Sequence, residues 1–162
     1  MDDHTRDPTV DPPPAGHNPP GWLPAEGRWE HDTLRRATIH GVRLVNAGEY
    51  HEAHDCFEDE WFNYGNGTMQ KSFLQGMTQV AAGVYKYVDF DNEAGLRKLL
   101  DSAHGYLVGI PATYYGVDVA SLREDITDIR HKPERAATLQ IELDGAYPTA
   151  DETDLEYAAT LP

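Results

Sequence analysis

Apolar side chains recur at three- and four-residue intervals through the middle of the chain, a spacing that places them on one side of an α-helix. Turn-forming residues interrupt this pattern several times between residues 30 and 132. It predicts helices over about 33–45, 49–62, 69–88, 92–108 and 119–131. Because no β-rich segment occurs among them, we expect an all-α fold, a compact bundle of about five helices.

Short polar residues and glycines predict the helix ends. Asp32 or Thr33 is placed to cap the first helix, and Asn46-Ala47-Gly48 to end it. The joint to the second helix is so short that the two must be antiparallel neighbours. The third helix has the widest apolar stripe, with Gly76 and Gly83 on one flank, where another helix could approach closely.

Residues 1–29 precede the helical domain, which we place at 30–132, and do not share its pattern. Seven of the eleven prolines lie between Pro8 and Pro24. Such a density forbids helix and predicts an extended, largely solvated arm. Trp22 and Trp29, near its end, are expected to pack onto the domain.

Residues 133–162 follow the helical domain and are acidic and poor in large aliphatic side chains. This composition predicts a mostly irregular tail. Leu139, Ile141 and Leu143 alternate as in a short strand, although no partner strand is evident.

The charge balance restricts the partners of the chain. It has 28 acidic and 13 basic side chains, a net charge of −15. This charge argues against non-specific nucleic-acid binding and against docking on an anionic membrane. With 16 Asp and only 4 Lys, the composition favours a salt-adapted, haloarchaeal cytoplasm, where molar salt screens self-repulsion. An ordinary acidic cytosolic protein is the alternative.

The sequence has neither a secretory-type start nor an apolar run of membrane-spanning length, so we expect a soluble, cytoplasmic protein. Cys56 is its only cysteine, which excludes an intramolecular disulfide and a cysteine-based metal cluster. Carboxylates around Cys56 should raise the pKa of its thiol, which argues against a nucleophilic cysteine.

The second helix contains the candidate chemistry. His51, His54, Asp55 and Glu58 lie at positions i, i+3, i+4 and i+7, roughly on one side. His54 also falls within the apolar arc of this helix, where a buried imidazole needs a partner, and Glu58 is the nearest. Three interpretations remain open: a divalent transition metal such as zinc, iron or manganese, a general base, or a buried structural network.

Other site types find little support in the sequence. The second helix lacks the His-Glu-x-x-His of zinc proteases, and inward Glu-x-x-His pairs on two helices are missing. Neither Gly-x-Ser-x-Gly nor a glycine-rich phosphate loop occurs. On the third helix, Gln75 and Gln79 could bond across a close helix contact, within the chain or in a homo-oligomer formed through this helix.

Several ordered blocks of the sequence resemble a known family. Residues 46–61, NAGEYHEAHDCFEDEW, are similar to the signature Asn-x-Gly-x-(Tyr/Phe)-x-Glu-Ala-His-Glu-x-x-Glu-x-x-Trp of the domain of unknown function 309 family. Residues 74–82 and 92–100 resemble its second and third blocks, and 115–119 a later one. The similarity covers about residues 33–130.

The resemblance implies an all-helical bundle without an established activity. Some members are labelled predicted metal-dependent hydrolases, and their His and Glu positions correspond here to His54, Asp55 and Glu58. Asp55 replaces a glutamate of the signature, and the histidine expected after the alanine pair is replaced near Tyr85-Lys86. Both departures weaken a metal site.

Two functions follow for this chain. The first is a small binding or interaction module, in which His54, Glu58 and Trp61, with Gln75 and Gln79, form a buried polar network. The second is a metal-dependent hydrolase that uses His54 and Glu58 with His51 or Asp55.

Overall fold

The computed structural model describes residues 3–162, and six α-helices form most of their regular structure. These are α1 (Asp32–Asn46), α2 (Tyr50–Trp61), α3 (Met69–Phe90), α4 (Glu93–Leu107), α5 (Val119–His131) and α6 (Glu152–Ala159). The first five lie where the apolar pattern predicts helices, so the all-α fold is confirmed.

Two antiparallel strand pairs complete the regular structure, together with 3₁₀ turns at Asp3–Thr5 and Pro133–Thr138. Strand β1 (Trp22–Leu23) pairs with β2 (Arg28–Trp29), and β3 (Thr113–Tyr114) with β4 (Val117–Asp118). Within residues 3–162, no helix combines the length and the apolar character needed to span a membrane.

The expected count of about five helices is too low, because the tail contains α6. The Asp151 side chain accepts a hydrogen bond from the Thr153 N–H, and Asp154 accepts one from the Asp151 N–H, which forms a capping box. This helix has few apolar residues, and Leu155 is exposed. The apolar pattern therefore could not reveal it, whereas the Asp-x-x-Asp spacing was a usable signal.

Leu139, Ile141 and Leu143, the alternating residues of the tail, are all buried. They form no extended strand, but Leu143 makes isolated bridges to Val117 and Ala146. This part of the tail is thus packed against the β3–β4 pair.

The arm packs more closely than its proline content suggests. Trp29 is buried, its ring stacks on Tyr115 at 5.4 Å, and its Nε1 donates to the Asp11 carbonyl at 2.9 Å. Asp32, expected as the α1 cap, instead forms an ion pair with Arg6. His31 occupies the cap position, and its side chain contacts the Thr5 hydroxyl at 3.1 Å instead of capping the helix. The carboxylate of α1's first turn therefore anchors the arm.

The helices α1 to α4 pack as sequential neighbours, with α3 between α2 and α4. A Cβ on Gly76 would lie 2.6 Å from the Leu107 side chain, and one on Gly83 would lie 3.2 Å from the Leu99 Cβ. The close approach predicted for these glycines is therefore made within the chain, by α4.

Candidate functional site

The four polar residues predicted on α2 form a chain of contacts along its outer side. The Nδ1 atom of His51 lies 3.6 Å from an Asp55 oxygen, and that of His54 lies 3.1 Å from the other. On the opposite edge of its ring, His54 Nε2 lies 3.5 Å from Glu58 Oε2. The helical spacing thus brings both imidazoles to the carboxylate of Asp55. It also brings the His54 imidazole to a second carboxylate, that of Glu58.

This row of four contacting side chains lies at the protein surface. The exposed fraction is 28% for the His54 side chain, 41% for Asp55 and Glu58, and 58% for His51. The structure therefore does not contain the fully buried His54–Glu58 pair that the sequence predicts. The pair is half-exposed.

His54 is half-exposed because α2 turns a different side toward the core. The buried residues of this helix are Tyr50, Ala53, Cys56, Phe57 and Glu60. His54 is turned about 100° from Ala53 around the helix axis, so it lies at the edge of the buried side. The prediction that His54 falls within the apolar arc of α2 is therefore corrected: His54 lies at the border of that arc.

The remaining members of the predicted network are also half-buried. Trp61 lies at the carboxyl end of α2, next to the exposed Phe62, with ring centroids 5.8 Å apart. Gln75 and Gln79 lie one turn apart on α3 and are half-buried. Among residues 3–162, neither amide makes a side-chain hydrogen bond. The structure therefore leaves their donors and acceptors available.

A metal ion would require at least three of these side chains to converge. Within the described part of the chain, no group of three His, Cys, Asp or Glu residues is arranged to hold one. His51, His54, Asp55 and Glu58 instead extend in a line along the helix surface, each contacting its neighbours.

The reasoning from sequence missed Glu60, which is 3% exposed. Its Oε2 accepts hydrogen bonds from the Thr33 and Tyr64 hydroxyls, both at 2.7 Å. Burial, with the Glu60 carboxylate nearby, holds the pKa of Tyr64 far above its usual value. The i, i+4 spacing of Glu60 and Tyr64 was the available signal for this contact. The five other carboxylates of 49–60 made Glu60 hard to distinguish from its neighbours.

The thiol of Cys56 has the protonation state expected from its surroundings. Burial, together with nearby carboxylates such as Asp55 and Asp154, raises its pKa to about 12. The neutral thiol is a poor nucleophile. Cys56 is therefore not a candidate for a catalytic nucleophile.

Comparison with known proteins agrees with the resemblance seen in the sequence. A family model described as "Domain of unknown function (DUF309)" matches residues 38–99. This segment runs from within α1 to within α4 and includes the whole of α2 and α3. The match thus covers each candidate residue but brings no activity with it. No curated protein matches the chain.

Proposed function

We propose that the chain is a small helical binding module, and that its contact surface is the α2–α3 face, formed by His54, Glu58, Trp61, Gln75 and Gln79. The observation that carries this proposal is the half-burial of all five. They are too exposed to be a core network, yet too enclosed to be freely solvated.

The composition of the α2–α3 face supports contact with another protein. It combines an indole, two amides without side-chain partners in the described residues, and a histidine beside carboxylates. The exposed ring of Phe62 adjoins it. Large aromatic side chains are enriched at protein interfaces, where amides can form hydrogen bonds across the contact.

We propose a second copy of the chain as the partner. Lys71 and Lys86 lie on the same side of α3 as Gln75 and Gln79, and within residues 3–162 neither lysine forms an ion pair. The outer side of α2 is acidic. A two-fold arrangement that places α3 of one copy against α2 of the other would therefore bring opposite charges together.

Sedimentation velocity of the full chain, at low and at molar KCl, tests this proposal. We expect an oligomer that Gln79→Glu dissociates, because the new carboxylate would face an acidic helix. The control, Thr127→Glu, changes an exposed residue of α5 and should leave the oligomer intact. A wild-type chain that stays monomeric at all concentrations would refute self-association.

The alternative function, a metal-dependent hydrolase, is favoured by one observation only. Both imidazoles approach Asp55, at 3.6 and 3.1 Å. A transition metal would need these side chains to leave their present contacts and converge. The residues as placed do not fit a metal ion, so we derive no reaction step through one.

A further inference from the structure

The attachment of α6 to the bundle depends on one buried carboxylate. Asp154 is 0% exposed, and α6 lies against both α1 and α2. Its Oδ1 lies 2.8 Å from His40 Nδ1. Its Oδ2 lies 3.2 Å from Arg43 Nε and accepts the Asp151 N–H at 2.9 Å. Both oxygens are thus used, one for an imidazole and one for a guanidinium.

Aromatic stacking strengthens the same contact. The rings of His40 and Tyr157 lie 4.0 Å apart and almost parallel, at 12°. Arg36 approaches the Tyr157 ring, with its guanidinium carbon 5.6 Å from the centroid. His40 is therefore surrounded by Asp154 and Tyr157 from α6 and by Arg36 and Arg43 from its own helix.

Further charged and titratable groups adjoin this contact. Arg43 also pairs with the exposed Asp151 at 3.1 Å, and Arg36 pairs with Asp7 of the arm at 2.6 Å. From α2, Cys56 lies close enough to Asp154 and Tyr157 to interact with them electrostatically. Its thiol is neutral. The basic groups nearest to His40 are consequently the guanidinium groups of Arg36 and Arg43, each of which is also paired with a carboxylate.

The backbone contributes little to this attachment. Among residues 3–162, no backbone–backbone hydrogen bond joins 149–162 to the rest of the chain. Tyr157, Ala158 and Leu161 pack against the core but remain half-buried. Side chains therefore hold α6 in place, and one of them can change its charge in the physiological pH range.

A neutral His40 suits this site better than a charged one. Because Asp154 can only accept, the Nδ1 of a neutral His40 must carry the hydrogen. Burial, together with Arg43 and Arg36, lowers the pKa of His40, although Asp154 acts in the opposite direction. A lowered pKa means that the docked state disfavours the imidazolium. Docking is then strongest above about pH 6.5, the pKa of a free histidine, and weakens as the pH falls below it.

We propose that α6 is a latch that protonation of His40 loosens, which uncovers the surface of α1 and α2 around Cys56. Protonation would add a third positive charge beside Arg36 and Arg43, at an imidazole whose side chain is only 20% exposed, and this weakens the attachment of α6. This device is independent of the α2–α3 face, because it lies on the other flank of α2, toward α1.

Hydrogen exchange followed by mass spectrometry tests the latch on the full chain. Measurements at about pH 7.5 and about pH 5.5 bracket the titration of histidine, with labelling times scaled to the intrinsic exchange rate. We expect peptides covering 151–161 to exchange several-fold faster at the lower pH, whereas α4 peptides stay unchanged. Equal protection of α6 at both values, or an equal loss in α4, would overturn the proposal.

The variant His40→Gln assigns the effect to His40. Glutamine can still donate to Asp154 but does not titrate in this range. We expect α6 to lose its pH response in this variant. If 151–161 in His40→Gln responds to pH as in the wild type, another group controls α6 and the proposal is wrong.

Maleimide labelling of the Cys56 thiol provides a second measurement, made at one neutral pH for the wild type and all variants. Asp154→Ala should release α6 and increase the rate of maleimide labelling several-fold, and Tyr157→Ala, which removes the ring stacked on His40 but keeps the carboxylates that raise the pKa of the thiol, should do so as well. The matched control is Asp128→Ala, which removes an exposed carboxylate paired with Arg135 at 3.5 Å. Circular dichroism verifies that the variants are folded. Equal labelling rates in a folded Asp154→Ala variant and in the wild type would contradict the latch.

Discussion

The Tyr64 hydroxyl donates a hydrogen bond to Glu60 across one turn of chain, and both groups are buried. The Thr33 hydroxyl donates to the same carboxylate oxygen from α1. Glu60 therefore joins α1, the end of α2 and the following loop. A buried carboxylate that accepts two hydroxyl bonds cannot be replaced without leaving donors unsatisfied.

We expect Glu60→Ala to lower the free energy of unfolding by about 2–4 kcal/mol, because it leaves a cavity and two buried hydroxyls without acceptors. Urea unfolding followed by circular dichroism measures this change. The partial variant Tyr64→Phe removes one donor and should cost about 1 kcal/mol. A Glu60→Ala variant as stable as Tyr64→Phe would show that the cluster does not hold the helices together.

The helices could be predicted from the sequence because their signals are local. Gly48 follows the end of α1 and Pro133 follows the end of α5. Asn92 caps α4 by accepting the Gly95 N–H at 2.8 Å. Each of these signals lies within a few residues of the helix end that it determines. Apolar spacing supplied the rest. The family resemblance rests on the same local segments.

The arrangement of the candidate site could not be predicted in the same way. The burial of His54 depends on the direction of the core around α2, and a shift of one residue moves the side chain from the interior to the edge. The partners of Glu60 and Asp154 include Thr33 and His40, which are distant in sequence. Such pairs are set by packing, and a single sequence does not record them.

The contact between Gly41 and Phe57 predicts that one methyl group added at Gly41 strongly destabilises the fold. A Cβ on Gly41 would lie 2.2 Å from the Phe57 ring, which is fully buried and cannot move away. We expect Gly41→Ala to lower the free energy of unfolding by about 1–3 kcal/mol, a typical cost of overpacking. Thermal unfolding measures the change.

The control for this variant is Gly105→Ala in α4. A Cβ there meets nothing within 4 Å, and the backbone is helical. Alanine favours a helix over glycine by about 0.5–1 kcal/mol, so this variant should be as stable as the wild type or more stable. If both variants behave alike, helix propensity and not the Phe57 contact determines the result.

The half-exposure of His54 predicts a small effect of its removal on stability. Pairs of exposed charges contribute about 0.2–1 kcal/mol, so His54→Ala should change the free energy of unfolding by no more than this. Phe57→Ala, at a fully buried position of the same helix, should cost about 3–5 kcal/mol. If both variants lower the free energy of unfolding by comparable amounts, the result would instead support the buried network expected from the sequence.

The net charge of −15 predicts that salt stabilises the fold. The stretch 49–60 has six carboxylates and neither lysine nor arginine, and five of these carboxylates lie at least partly exposed on or beside α2. Molar KCl shortens the screening length to about 3 Å and so weakens their repulsion. We expect the melting temperature to rise steadily from low to molar KCl. A constant or falling melting temperature would contradict adaptation to high salt.

The linear arrangement of His51, His54, Asp55 and Glu58 predicts that the chain does not retain a transition metal. Protein purified without a histidine tag, incubated with zinc, iron or manganese and then dialysed, should contain none in stoichiometric amount by elemental analysis. His54→Ala and the control His104→Ala, a half-buried histidine of α4, should then give the same result as the wild type. Stoichiometric metal that is lost only in His54→Ala would instead require the α2 side chains to converge on an ion, and would make the hydrolase the better interpretation.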